Sequence, residues 1–371
     1  MKKIAFFCGF YLPHLGGVER YTSNLIKELK KKYEIIIVTS NDNNYATIED
    51  LDGVKIYRLP VYSVFKNRFP LLKKNTEYKK IIKQIENEKI DYIFCNTRYY
   101  NTSILGAKMS KKLNAKLLVL DHSSNHISIG IGILDKLGAI YEHYLTNIIK
   151  RYNPSFYGVS KKCNEWLKHF KINAKGVFYN SIDDSEYEKY YKKVTNDKIV
   201  ISYIGRIIQE KGVINLMEAF KKLCNDYNNI ELVIAGDGPL LDSLKKKYTA
   251  DNITFLGKIN HEEVMKLCVR TDIFVHPSMY PEGLPTSILE AGIMKTAIVA
   301  TDRGGTKEVI SNDSLGIIVE ENVEDLYAKL KKLISNPDMI EKYKENIHKQ
   351  VINKFTWKQT AIVVDKELRK L

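Results

Sequence analysis

The residues best suited to chemistry in this 371-residue chain are two cations and two acids in its second half. Arg206 and Lys211 stand in Gly205-Arg206-Ile207-Ile208-Gln209-Glu210-Lys211-Gly212, a glycine-bounded segment after the apolar run 199–204. A guanidinium fork and an ammonium leaving one strand end together suit a diphosphate. Both are charged at neutral pH, and the fork binds two oxygens at once. Glu282 and Glu290 flank Gly283-Leu284-Pro285-Thr286-Ser287-Ile288-Leu289, where Pro285 suits the first turn of a helix. Such a helix would present the Thr286 and Ser287 amides at its positive end, leave Glu282 in the preceding loop and carry Glu290 itself. Carboxylates accept from paired hydroxyls and do not compete for phosphate, so the two acids could hold two parts of one ligand, such as sugar and ribose hydroxyls.

Three glycine-bearing turns accompany them. Gly16-Gly17 opens a helical pattern that runs through Leu25 and Leu29, where backbone amides could approach an anion; an ordinary loop pair fits equally. Gly236-Asp237-Gly238-Pro239 would let backbone approach a flat ligand such as a nucleobase, or simply make a tight turn before a proline-started helix. Gly257-Lys258-Ile259 closes a further strand in the same place and could offer main-chain groups to a base edge. The full G-x-G-x-x-G fingerprint is missing, which argues against a nicotinamide oxidoreductase.

The elements that must position these turns read as an α/β chain. Short apolar or β-branched runs alternate with amphipathic stretches, the pattern of parallel sheets covered by crossover helices. The first series of strands is expected at 4–8, 35–39, 54–59, 92–95, 117–120, 156–159 and 177–179. The second is expected at 199–204, 232–235, 253–256, 273–276, 298–300 and 317–319. Two series imply two Rossmann-like domains, 1–182 and 195–354, with a last helix over 355–371 that returns to the first. Ligands of such sheets sit beyond the carboxyl ends of the strands, so facing domains would create a cleft.

Taken in order, Gly16-Gly17, Gly205-Arg206 with Lys211-Gly212, Gly236-Asp237-Gly238-Pro239 and Glu282-x7-Glu290 resemble the retaining GT-B glycosyltransferases that carry an E-x7-E signature. These are glycosyltransferase family 4, or glycosyl transferases group 1, here of the bacterial surface-polysaccharide kind. The resemblance covers nearly the whole chain, including Phe355-Thr356-Trp357 before the last helix; residues 45–155 are its least typical part. It implies transfer of a sugar from a nucleotide sugar, UDP before GDP, to a saccharide or lipid-linked acceptor with retention at the anomeric carbon. Arg206 and Lys211 would hold the diphosphate, Glu290 the ribose and Glu282 the transferred sugar. Gly17, Thr286 and Ser287 amides would assist. His122, in Leu120-Asp121-His122-Ser123-Ser124, resembles the family's histidine near sugar and acceptor.

No cofactor is expected, nor a metal, since no Asp-x-Asp follows a strand. A sugar-nucleotide epimerase or a non-catalytic nucleotide-sugar-binding protein could share the architecture, as could a phosphorylase with a lysine-bound pyridoxal phosphate. Five scattered cysteines without a C-x-x-C pair argue against a disulfide or zinc framework. The start Met1-Lys2-Lys3 has no signal-peptide core, and a cytoplasmic protein is expected.

Charge is one-sided. The first 180 residues hold 30 Lys+Arg against 15 Asp+Glu, a net +15, while the whole chain carries +14. Such asymmetry fits either an anionic partner for that half, a membrane face, a phosphorylated acceptor or a nucleic acid, or a lysine-rich solvated surface; among the partners a membrane face is preferred because no nucleic-acid motif accompanies the charge. Residues 64–74, where Phe and Leu interleave with Lys and Arg before a basic helix through Lys79, Lys80 and Lys83, are the expected contact.

Overall fold

A computed structural model describes residues 1–14, 16–64, 69–126, 132–280 and 283–371. The first half comprises β1 (Lys3–Phe7), α1 (Gly17–Leu29), β2 (Glu34–Asn41), β3 (Ile48–Leu51), β4 (Val54–Val64), β5 (Phe69–Leu72), α2 (Thr76–Glu86), β6 (Tyr92–Asn96) and α3 (Asn101–Leu113). It continues with β7 (Lys116–Asp121), α4 (Gly132–Lys150), β8 (Ser155–Gly158), α5 (Lys161–His169), β9 (Gly176–Val177) and α6 (Ser185–Tyr190). The second half holds β10 (Ile199–Ile204), α7 (Val213–Leu223), β11 (Ile230–Ala235), α8 (Leu241–Lys247), β12 (Ile253–Gly257), α9 (His261–Arg270) and β13 (Ile273–His276). It ends with α10 (Thr286–Ile293), β14 (Ala297–Thr301), α11 (Thr306–Val309), β15 (Ile317–Val319), α12 (Val323–Ile334), α13 (Pro337–Lys354) and α14 (Trp357–Lys370).

Two compact units result, Met1–Tyr179 with Thr360–Leu371, and Asn180–Gln359. The sheet of the first runs β3-β4-β2-β1-β6-β7-β8-β9, with β5 on β4. Its pairs are parallel except β3 with β4 and β4 with β5. The sheet of the second runs β12-β11-β10-β13-β14-β15, parallel throughout. Strands covered by helices on both faces are predominantly apolar, and β1, β6 and β14 are buried from end to end. Helices carry one apolar stripe each: Tyr21, Leu25 and Leu29 recur at i, i+4 and i+8 on α1. Asparagine caps start several of them, with a reciprocal capping box between Asn260 and Glu263 on α9.

The structure departs from the sequence reading in several places, beginning with β3 (Ile48–Leu51), a strand not expected there. Residues 69–72 form β5 antiparallel to β4, so part of the stretch expected to lie at a membrane is a hairpin strand; 65–68 lie outside the described residues. Pro285 is the N-cap of α10, not part of its first turn, with ψ of 116°. Pro239 does not start a helix: α8 begins at Leu241. Among the described residues, no helix is long and apolar enough to cross a membrane.

The last helix is tied to the first unit by buried polar contacts. Asp365 accepts from the Tyr33 hydroxyl at 2.6 Å, from Lys32 at 3.0 Å and from Arg369 at 3.1 Å. Tyr157 donates to Glu367 at 2.9 Å, and Val364 and Leu368 are fully buried. Burial alone would raise the Asp365 pKa, but the hydrogen bonds from Tyr33, Arg369 and Lys32 outweigh it and hold the carboxyl at about 2. A depressed carboxylate stabilises the native state above its unfolded pKa and stops doing so as pH falls toward the folded value. Asp365→Ala should therefore cost about 1–3 kcal/mol in urea unfolding at neutral pH. The gap from wild type should narrow between about pH 5 and pH 3; a gap that stays constant over that interval would contradict this account.

Candidate functional site

The order of the second sheet makes β10 and β13 neighbours from which the chain departs in opposite directions, the switch point where doubly wound sheets bind ligands. Gly205 and Arg206 leave β10 there, and Pro277 to Tyr280 leave β13. Backbone pairing continues past the strand ends. Gly205 donates to Ala235 O at 3.0 Å, Gly236 to Gly257 O at 2.8 Å, Ile207 to Asp237 O at 2.8 Å and Met279 to Glu210 O at 2.8 Å.

Two glycines are required by this crowding. Gly236 has φ of +143°, and a Cβ on it would lie 1.8 Å from Gly205 O. Gly212, at φ of +70°, ends the short 3₁₀ turn Gln209–Lys211 and caps α7; a Cβ there would lie 1.9 Å from Pro277 O. The turn brings Lys211 back toward β13. Its ammonium sits 5.4 Å from the Tyr280 ring centre, and the exposed Arg206 guanidinium sits 5.8 Å from the same ring. Both cations thus gather at the Tyr280 ring, a residue that the sequence pattern does not single out.

Beside them is a cavity of about 260 Å³ lined by Tyr203, Gly205, Lys211, His276, Thr286, Ser287 and Glu290, among others. The sequence-predicted Lys211, Thr286, Ser287 and Glu290 are therefore assembled in one pocket. Thr286 and Ser287 are the first two residues of α10. Glu290 lies 3.7 Å from His261 Nδ1, whose other nitrogen is 3.3 Å from Glu186. Gly236, Gly238 and Gly257 shape the neighbouring turns without lining this cavity. Lys258 is exposed, and Ile259 packs on a small cluster with Val200, Val233, Ala235 and Leu267. Leu284 is buried, with its carbonyl accepting from Asn180 at 3.3 Å, and Gly283 O accepts from Gly305 at 2.7 Å. Glu282 lies outside the described residues.

In the first unit the switch point lies between β1 and β6. Gly16 is the N-cap of α1 and Gly17 its first residue. The buried Glu19 carboxylate reaches back over Gly16: a Cβ there would lie 2.4 Å from its oxygen. Burial raises the Glu19 pKa, against the backbone amides of Glu19 and Gly16. An acid at this helix end is what the glycine pair alone did not reveal.

His122 follows β7 directly. Its Nε2 is 3.3 Å from Asn96 Oδ1 and its ring meets Tyr21 edge-on at 4.9 Å. Burial lowers its pKa to about 4 despite Asp121, so the ring is neutral at physiological pH. The adjoining Asp121 is fixed by a buried network in which Arg98 bridges it and Glu142. Asp121 also accepts from the Ser123 amide at 2.7 Å, which sets the loop after His122.

Solved structures share this architecture over the whole chain. Anabaena HepE in complex with UDP aligns with 16% identity, TM-score 0.75 and complete coverage of both chains. Sucrose-phosphate synthase from Thermosynechococcus elongatus aligns with 17% identity and TM-score 0.75, covering 100% of this chain and 99% of that one. The fold is GT-B, two parallel-sheet Rossmann-like units. An uncharacterised glycosyltransferase of Methanocaldococcus jannaschii is 28% identical over all of this chain and 97% of its own length. The phosphatidylinositol N-acetylglucosaminyltransferase GPI3 subunit of Saccharomyces cerevisiae is 25% identical over 96% of this chain and 80% of its own length. The model for Glycosyl transferases group 1 matches residues 161–350 and that for Glycosyltransferase Family 4 residues 15–186. The protein is a glycosyltransferase and belongs to the glycosyl transferases group 1 family.

The glycine geometry yields a contrast. Gly236→Ala should destabilise the second unit by roughly 2 kcal/mol or more, through both strain and backbone collision. Gly17→Ala, whose Cβ would meet nothing within 4 Å, should stay within about 1 kcal/mol of wild type. Equal melting temperatures for the two variants would refute the close approach at Gly236.

Proposed function

We propose that the protein transfers a sugar from a UDP-sugar to a saccharide or lipid-linked saccharide acceptor, with retention of anomeric configuration and without a metal ion, in the assembly of a cell-surface polysaccharide. The observation that carries this reading is the pair Arg206 and Lys211 around Tyr280, at the switch point and beside the pocket of Glu290, Thr286 and Ser287. The cations hold the diphosphate and stabilise the charge that grows on it as the glycosidic bond breaks, an electrostatic contribution of the oxyanion-hole kind. The first amides of α10 add the positive end of a helix dipole. Glu290 accepts from the ribose hydroxyls and Glu282 from those of the transferred sugar. The departing phosphate takes the acceptor proton, so that no protein nucleophile is needed. His122, neutral at physiological pH, serves sugar and acceptor as a hydrogen-bonding group. UDP is preferred over GDP in keeping with the UDP held by Anabaena HepE, and the names of the yeast relatives recommend UDP-N-acetylglucosamine beside UDP-glucose as a first trial.

A thermal-shift panel of sugar nucleotides identifies the donor, because a ligand of the native state raises its stability by mass action. With that donor, Arg206→Ala should lower kcat/KM by about a hundredfold or more, and near-normal turnover would remove the diphosphate assignment. Glu290→Gln should weaken UDP binding, whereas Glu282→Gln should lower turnover with UDP affinity kept. Equal loss of UDP affinity in the two variants would show the roles to be divided wrongly. Consumption of donor with no acceptor-linked product would favour an epimerase.

Metal independence has its own measurement. Turnover should be unchanged by adding magnesium or manganese to chelator-treated enzyme. A fall in EDTA that either of these ions reverses, and zinc does not, would overturn it.

A further inference from the structure

Among the described residues of the first unit, three histidines from one strand-end loop and two helices converge. His126 follows β7, His143 lies on α4 and His169 ends α5. One nitrogen from each lies within 4.8 Å of the others, and the Nε2 atoms of His143 and His169 are only 3.1 Å apart. A tetrahedral ion with metal–nitrogen bonds of about 2.0–2.1 Å requires ligand nitrogens about 3.3 Å apart. The His143–His169 pair is already near that spacing, and His126 needs a shift on the order of 1 Å to reach it.

The surroundings are those of a ligand set with its outer partners in place. His126 Nδ1 lies 2.8 Å from the buried Glu142 carboxylate, which orients the ring and would leave Nε2 as the nitrogen to offer an ion. Glu142 is itself held by Arg98, which also pairs with Asp121. Glu142 is therefore the carboxylate that faces the cluster, shared between His126 and Arg98. The rings are positioned from outside by Trp166, stacked on His169 at 4.8 Å and 7°, and by Phe170, 4.5 Å from His143. Aromatic packing alone accounts for rings in contact. An N–H···N hydrogen bond would account for the His143–His169 pair; the third imidazole brought beside it, itself held by a carboxylate, is what points to an ion.

We propose that His126, His143 and His169 form a binding site for a divalent transition metal, zinc above all, with a water completing the tetrahedron. Imidazole suits zinc and its neighbours, whereas magnesium and calcium prefer oxygen ligands. The ion clamps the segment that leaves β7, four residues beyond His122, to α4 and α5. Its role is to set that segment, and it takes no part in bond breaking; the assignment stands apart from the donor reading.

The test uses the full-length chain, stripped with a chelator and exposed to excess zinc before desalting. Elemental analysis should find one zinc per chain, and the melting temperature should rise with zinc but not with magnesium. Cobalt(II) in place of zinc should give the strong visible bands of a four-coordinate site. His169→Ala and His143→Ala should each abolish zinc retention and the zinc-dependent rise, while melting like the zinc-free wild type. His169→Cys should keep the ion and add a thiolate-to-cobalt band in the near ultraviolet. A wild-type chain that retains no zinc, or a His169→Ala chain that retains as much as wild type, would overturn the proposal. Neither result depends on turnover, so the glycosyltransferase assignment is unaffected by failure here.

Discussion

Everything at the candidate donor site depends on how closely the backbone of one strand end approaches the next. Gly236 has no side chain where Gly205 O must pass, and Gly212 has none where Pro277 O must pass. Because those contacts are close, the parallel ladder continues into the loops, and turns that would otherwise be free are hydrogen-bonded to neighbouring strand ends. Precision follows from that. Arg206 and Lys211 are long, rotamer-rich side chains, and a cation clamp on floating loops would lose much of its advantage to entropy. Rooted in an extended sheet, both converge on one tyrosine ring.

The first unit achieves order by a different device. Arg98, Asp121 and Glu142 are all buried, an arrangement whose desolvation cost is offset by close pairing. Arg98 answers both acids and lies over the Phe170 ring at 4.0 Å, while its buried Nε has no hydrogen-bond partner among the described residues. Asp121 spends its remaining oxygen on the Ser123 amide and Glu142 on His126. The network reaches both sides of His122, so the ring's surroundings are set by electrostatics where the second unit uses glycine sterics. Removing one partner would leave a buried charge unanswered, and the loop after β7 would lose its anchor.

The sequence made the α/β class and the parallel strands legible because strands buried on both faces are predominantly apolar, and such runs stand out at 199–204 or 273–276. It did not disclose β3 and β5: Ile-Glu-Asp-Leu carries two acids on an antiparallel edge, and Phe-Pro-Leu-Leu, though apolar, is a four-residue run holding a proline within a basic stretch. Lys211, Thr286, Ser287 and Glu290 were legible from turn chemistry and helix-start signals. Tyr280 and His276 were not, since a tyrosine in a loop and a histidine at a strand end carry no local mark of what the fold places beside them. The same holds for His126, His143 and His169, spread over 44 positions and joined only by the packing of α4 and α5. A spacing rule finds ligands on one helix face; it cannot find ligands from three elements.

The exposure of Arg206 bears on how such a site gains its strength. In open water two unit charges at 4 Å interact by about 1 kcal/mol, too little for a hundredfold effect on rate, and at an effective dielectric near 20 by about 4 kcal/mol. The pocket beside Arg206 is small and of mixed lining, so on the proposed donor reading the body that would displace water from the cations is the nucleotide itself, its base, ribose and sugar covering the surface on which Lys211, Thr286, Ser287 and Glu290 sit. Binding energy from those remote parts is then converted into a lower local dielectric around the breaking bond, where the cations act. On this view the proposed ribose contact at Glu290 and charge contact at Arg206 would not be separable contributions: one would create the environment in which the other is strong, and the two should prove non-additive when both are removed.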